Sequence, residues 1–212
     1  ALPLATRPSH LSAGPTRPRD RLGWAAAWAV TLVLLPHLAT FLFRMSVGQL
    51  SLPLYATGPG GLDQSTAGVM LGSQGLMALV MLGPAGWATN RFGVRPVVAW
   101  SLLVTSLAVA AVPLVPTPHG LWLAAIVFGG GLAVMGVASG LFIFTLAGYS
   151  TGALVGIYRL SGDVMQVFGP VVIGPVLDAA GFTVSFLLMA GFGLMALASL
   201  AFRPATPAQS SP

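Results

Sequence analysis

The sequence predicts an all-α membrane protein of six transmembrane helices, and three observations carry that prediction. The chain of 212 residues is 56 % hydrophobic and only 6 % charged, against roughly 25 % charged in soluble domains. Its charges are nine Arg and four Asp, with no Lys and no Glu. A soluble fold could not cover its surface with so few, whereas lipid demands none. Second, the charges leave long gaps, since residues 22–43, 64–90, 96–158 and 179–202 carry none. A span needs roughly 20 apolar residues to cross about 30 Å of hydrocarbon. Third, seven of the nine arginines gather on one side of the arrangement the gaps imply.

Residues 1–23 hold four Pro and four Arg and no apolar run. They read as a flexible cytoplasmic tail or linker rather than a signal peptide, which needs an apolar core. The chain opens on Ala1, which leaves room for processing or for a segment upstream. The six-helix bundle is expected over 24–202. Its first helix, 24–57, passes Arg44 and is expected to kink at Pro36 or Pro53; the alternative is a span ending at 43 followed by an interfacial segment. Gly58-Pro59-Gly60-Gly61 breaks the chain, and Asp63 or Ser65 caps the second helix, 65–88. The third and fourth helices, 95–115 and 120–146, are divided by Pro113, Pro116 and Pro118. The fifth and sixth, 153–178 and 182–202, complete the bundle. Residues 203–212 have the composition of a disordered cytoplasmic tail.

Six spans place both tails on one face. Arg7, Arg17, Arg19, Arg21, Arg91, Arg95 and Arg203 all lie there, while 58–64, 116–119 and 179–181 on the other face carry no arginine. Positive charge marks the cytoplasmic side. The expectation is a multi-pass integral membrane protein with cytoplasmic tails. The net charge of +5 is then an orientation signal, and no nucleic-acid partner is expected.

Arg44, Arg159 and Asp163 sit inside spans, where an ionisable group costs at least roughly 2.5–3.5 kcal/mol at the bilayer centre. Arg159 and Asp163 are four apart and share a helix face, so they can pair. Either Arg159 snorkels at the cytoplasmic mouth of the fifth helix with Asp163 neutralising it, or the pair belongs to a proton or substrate path. Arg44 either reaches the outer interface or lines a central cavity as an anion-attracting charge. His37 reads as a packing histidine before a proton carrier. Gln49, Tyr55, Gln74 and Gln166 are candidates for hydrogen bonds between helices.

The pairs Gly68/Gly72, Gly136/Gly140 and Gly152/Gly156 have the spacing that lets helix backbones approach. Gly129-Gly130-Gly131 marks a flexible point in the fourth helix, and Gly169-Pro170 and Gly174-Pro175 loosen the fifth. His10, His37 and His119 have no metal-ligand spacing, and the absence of Cys removes thiol chemistry. No nucleophile elbow, phosphate loop, zinc motif or paired carboxylates occur. The sequence points to no enzyme, no metal and no cofactor.

Gly86-Trp87-Ala88-Thr89-Asn90-Arg91-Phe92-Gly93-Val94-Arg95 resembles the G-x-x-x-D-R-x-G-R loop of the major facilitator superfamily, with Asn90 at the acidic position. Tyr158-Arg159-x-x-Gly162-Asp163 followed by Gly169-Pro170, Gly174, Asp178 and Gly181 is similar to the eleventh helix of bacterial members. The resemblance spans about residues 20–203. It implies half of a twelve-helix major-facilitator-like fold, the C-terminal half, in a bacterial plasma membrane. It further implies a secondary active transporter of a small solute by alternating access, ion-coupled with protons as the candidate ion, its partner an N-terminal six-helix half or a second copy. By the family's layout the first and fourth helices line the cavity, which makes Arg44, Gln49, Gly129, Gly130 and Gly131 cavity candidates and leaves Gln74 supporting. The loop residues Gly86, Asn90, Arg91, Gly93 and Arg95 would form a cytoplasmic latch, weakened by the neutral Asn90. A half-size homodimeric transporter and a membrane scaffold subunit without transport are the alternatives.

Overall fold

The computed structural model describes residues 34–115, 117–146 and 151–201. The tails expected over 1–23 and 203–212, with their five arginines, lie outside the described residues, as do residues 24–33 of the first expected helix, Pro116 and residues 147–150. Every described element is helical. Among the described residues, four helices are long and apolar enough to cross a membrane: Gln64–Phe92, Val94–Leu114, Pro118–Leu141 and Tyr158–Ser199.

The first helix, α1, is described over residues 34–57 and changes its winding midway. Residues 34–42 are α-helical, Phe43–Ser51 are π-helical and Leu52–Thr57 are α-helical again. The Leu52 amide accordingly donates to the Val47 carbonyl five residues back. The irregularity expected at Pro36 or Pro53 thus lies between them. Neither proline forces it, because Pro53 falls in the first turn of the closing α-helical segment, where a missing N–H costs nothing. Five-residue bonding widens the turn, so that residues five apart come much nearer one face than in an α-helix. Arg44, Gln49 and Leu54 are indeed exposed while every residue between them is buried or half-buried.

Asp63 opens α2, Gln64–Phe92, as its N-cap. Its carboxylate accepts from the Thr66 hydroxyl at 2.5 Å and the Thr66 amide at 3.1 Å, satisfying a donor that the first turn leaves free. Those two bonds hold the Asp63 carboxyl below the ordinary carboxylate range, the hydroxyl contributing most. The other end of α2 is Gly93, at φ 86° and ψ 159°, a backbone state that only glycine adopts without strain. A single residue therefore turns the chain from α2 into α3, Val94–Ala111. The expected loop over 88–95 is helical almost throughout. Its sequence is polar because it lies at the membrane surface, not because it is irregular.

A short 3₁₀ turn, Val112–Leu114, closes α3. Helix α4, Pro118–Leu146, begins with proline at its first position, and the Thr117 hydroxyl accepts from the Gly120 amide at 3.2 Å as its cap. The last run, α5, is Thr151–Ser199 and contains one non-helical residue, Gly181, at φ 79° and ψ 176°. It is two helical arms joined by a glycine, with the break inside the 179–181 turn that the sequence marks. Pro170 and Pro175 lie within the first arm without ending it.

Helix α4 packs between α2 and α3, while α5 packs on α3 and on the π-helical stretch of α1. Of the glycine pairs picked out by spacing, Gly140 sits at a close approach, where a Cβ would come within 3.3 Å of the Tyr158 hydroxyl on α5. A side chain at Gly68, Gly72, Gly136 or Gly156 would meet nothing within 4 Å, because Gly68, Gly72 and Gly156 are exposed and Gly136 borders an open cleft. Gly129 does the work instead, since a Cβ there would overlap the backbone of Gln74 on α2. Gly129→Ala should therefore destabilise the bundle by about 1–3 kcal/mol through overpacking. Gly72→Ala should be neutral or stabilising by up to about 1 kcal/mol. Thermal unfolding in detergent compares them, and equal midpoints would refute the α2–α4 crossing.

The α2 cap gives a pH test. A depressed folded pKa contributes stability above the unfolded value of about 3.9 and loses it as pH falls through the folded one. Asp63→Asn should keep the cap and Asp63→Ala should lower the midpoint at neutral pH. The gap between wild type and Asp63→Ala should then narrow on acidification toward about pH 2.

Candidate functional site

A cleft of about 510 Å³ opens among α1, α2, α4 and the first arm of α5. Thr40, Phe41 and Arg44 come from α1, Gly75 to Leu82 from α2, Leu132 to Val137 from α4, and Tyr158 from α5. The α2 and α4 contributions fall in the middle third of their helices, Gln64–Phe92 and Pro118–Leu146. At a rise of about 1.5 Å per residue that is mid-depth in the hydrocarbon. Arg44 is exposed and is the charged member of the lining.

The wall behind Thr40 and Tyr158 is built on His37. This histidine is 1 % exposed. It stacks on the Tyr158 ring with centroids 3.8 Å apart and receives the edge of Phe41 at 4.9 Å. Its Nε2–H donates to the Tyr158 carbonyl at 3.0 Å. That bond fixes the proton on Nε2, because a carbonyl only accepts. Nδ1 then keeps its lone pair, buried and without a hydrogen-bond partner among the described residues. The Thr40 hydroxyl donates to the Pro36 carbonyl at 2.9 Å and lies 3.4 Å from the Ser139 hydroxyl. The ring stack ties α1 to α5, and Thr40 ties α1 to α4.

The other sequence candidates are spread over the molecule. Gln49 shares the exposed face of Arg44 but lies outside the cleft lining. Gly129 is buried against Gln74, whereas Gly130 and Gly131 border a separate apolar groove of about 540 Å³ beside Met77 and Trp100. Arg159 and Asp163 are exposed on α5, and the Asp163 carboxylate accepts from the Gln166 amide at 3.2 Å rather than from Arg159. Sequence reasoning passed over Thr40, Phe41 and Tyr158 as cleft residues. Tyr158 stood in the α5 motif, but nothing in its spacing shows that it meets His37 across the bundle.

The loop motif does three separate things. Gly86 lies half-buried within α2 and Gly93 makes the turn. Arg95 donates to the Leu200 carbonyl at the end of α5, where unpaired carbonyls and the helix dipole attract a cation. Arg91 lies over the Trp87 and Phe92 rings, 5.8 and 6.0 Å from their centroids, and Asn90 beside it is exposed. Exposed Trp with Arg is the composition of a membrane–water interface.

Long apolar helices around a cleft with a charged lining residue are the frame of an integral membrane protein. The family model of the Major Facilitator Superfamily matches residues 25–212, and the chain belongs to that superfamily, whose members are transporters. No curated protein matches the chain.

The two arginines should separate in stability. Arg95→Gln should cost about 1.5–3 kcal/mol by leaving a helix-end carbonyl without its charged donor. Arg91→Gln should cost about 0.5–1 kcal/mol, the worth of an exposed cation–π contact. Equal losses on thermal unfolding in detergent would refute the tie between α3 and the end of α5.

Proposed function

We propose that this chain is the C-terminal six-helix half of a twelve-helix secondary transporter, moving a small solute by alternating access against an N-terminal half. In this reading α1 and the two arms of α5 join α2, α3 and α4 as the six spans. Both tails are cytoplasmic, and the protein resides in a bacterial plasma membrane. The observation that supports it most is the placement of the cleft, because carriers of this kind hold substrate near the midplane between halves. Arg44 is the substrate-facing charge, and Gln49 on the same face meets the opposing half. Gly129, Gly130 and Gly131 fasten α4 to its neighbours, so the bundle rocks as one body.

Arg95 latches the α2–α3 turn to the end of α5, and Arg91 with Asn90 faces the partner half. Transport is coupled to an ion, with protons favoured. Arg159 and Asp163 hold the α5 arm at the cytoplasmic interface. Supporting that assignment, Asp163 is engaged by Gln166.

Two labelling experiments test the reading, and the absence of cysteine from the chain makes both clean. A membrane-impermeant maleimide should modify Gly60→Cys on intact cells and spare Asn90→Cys until the membrane is opened. Asn90 is chosen because neighbouring Thr89 is buried. The second experiment compares neighbours on α2. Leu79 lines the cleft, whereas Val80 is an exposed apolar residue outside the cleft lining. A small charged thiosulfonate reacts only with a thiolate in contact with water. Leu79→Cys should react in membranes and Val80→Cys should not. A scaffold without a water-filled cleft would leave both unmodified.

A further inference from the structure

From the chemistry of the cleft we infer that its ligand is an organic monoanion, a single carboxylate on an apolar body. The inference rests on the transporter reading and adds the substrate class. Arg44 is the charged lining residue, and α2 and α4 face it with Leu79, Leu82, Leu132 and Val137. Two other polar side chains belong to the lining. Thr40 donates to Pro36, and Tyr158 stacks on His37. A guanidinium offers five donors in a fork that fits a carboxylate through two parallel hydrogen bonds.

No acid of this chain takes that position among the described residues. Asp63 is bonded to Thr66 at the start of α2 and Asp163 to Gln166 on α5, and Asp178 lies near the Gly181 turn. An arginine left unpaired at mid-depth is costly. A bound anion removes that cost and brings its own apolar body to the leucine side of the cleft.

The same lining excludes other classes. A sugar would bring more hydroxyls than Thr40, Tyr158 and Arg44 can partner and would bury the rest against leucine and valine, at a cost for each one. A polyanion would bring more charge than one guanidinium neutralises. An organic cation would meet Arg44 as a like charge. The cleft, about 510 Å³, lies within the roughly 300–1,000 Å³ common for small-molecule sites.

Benzoate, benzyl alcohol and benzylamine share one ring and differ in head-group charge, so they separate the classes directly. Equilibrium binding of each is measured by titration calorimetry on the full chain in lipid nanodiscs, with empty nanodiscs as the blank. Benzoate should bind saturably, and about 10- to 100-fold more tightly than the other two, the range for hydrogen bonds to a charged group. Arg44→Gln should erase that preference and Arg44→Lys should retain part of it. Each variant is first matched to wild type in elution volume and thermal midpoint.

Equal binding of the three, no saturable binding of any, or an unchanged preference in Arg44→Gln overturns the inference. None of these results touches the cysteine experiments on which the transporter reading stands. Conversely, Arg44-dependent benzoate binding in a protein whose Leu79→Cys variant resists the charged reagent would leave the anion site standing and remove the carrier.

Discussion

Arg44 is the charged residue of a cleft level with the middle of α2 and α4, and a charge at that level constrains the helix that carries it. Lipid accepts no unpaired guanidinium, so the residue has to face a cavity or a partner. The backbone of α1 meets this by changing its winding. Across Phe43–Ser51 the π-helical bonds put Arg44 and Gln49 on one exposed face and turn Phe43, Ser46, Val47 and Ser51 inward. A π-helical stretch of this length is unusual, and such stretches concentrate at functional sites. Its cost is offset by burial, since Phe43 and Val47 are almost wholly enclosed.

The helices around it are held by glycine and hydroxyl contacts rather than by charge. Gly129 on α4 meets α2 at Gln74, Gly131 meets Thr105 on α3, and Gly193 on the second arm of α5 meets both Phe43 and Ser106. The hydroxyls of Ser46, Thr105 and Ser106 are buried without hydrogen-bond partners among the described residues. Each lies instead where a glycine backbone comes close, at Gly169, Gly131 and Gly193 respectively. Weak Cα–H···O contacts are the interaction available there. In lipid, where no hydrophobic force drives helices together, close backbone packing is what remains.

The sequence read well wherever a residue's chemistry by itself dictates its position. Charge gaps marked α2, α3 and α4. Asp63 was one of two caps named for α2, and the turn over 179–181 contains the Gly181 break. The family was visible because the residues from Gly86 to Arg95 carry a dense pattern of special residues. Features that depend on meetings across the bundle were not visible. His37 and Tyr158 are far apart in the chain, and no periodicity foretells their stack.

The same limit explains the glycine pairs. Four-residue spacing tells which positions share a face, but whether that face meets a helix depends on the neighbours, and Gly68 and Gly72 look outward. The winding of α1 was misplaced for a related reason. Proline announces a missing donor, whereas the shift from four-residue to five-residue bonding in Phe43–Ser51 leaves no mark in residue type.

The His37–Tyr158 stack connects these features. His37 is in the α-helical part of α1, one turn before Thr40 and two before Arg44, and its Nε2–H holds the Tyr158 carbonyl at the cleft end of α5. Any tilt of the first arm of α5 against α1 has to break or carry that bond, because the ring stack and the hydrogen bond join the same two residues. The tyrosine ring is at once a wall of the cleft and a part of the α1–α5 contact. The pair is one part of a longer α1–α5 seam, in which Phe41 also meets Gly162, Ser46 meets Gly169 and Phe43 meets Gly193.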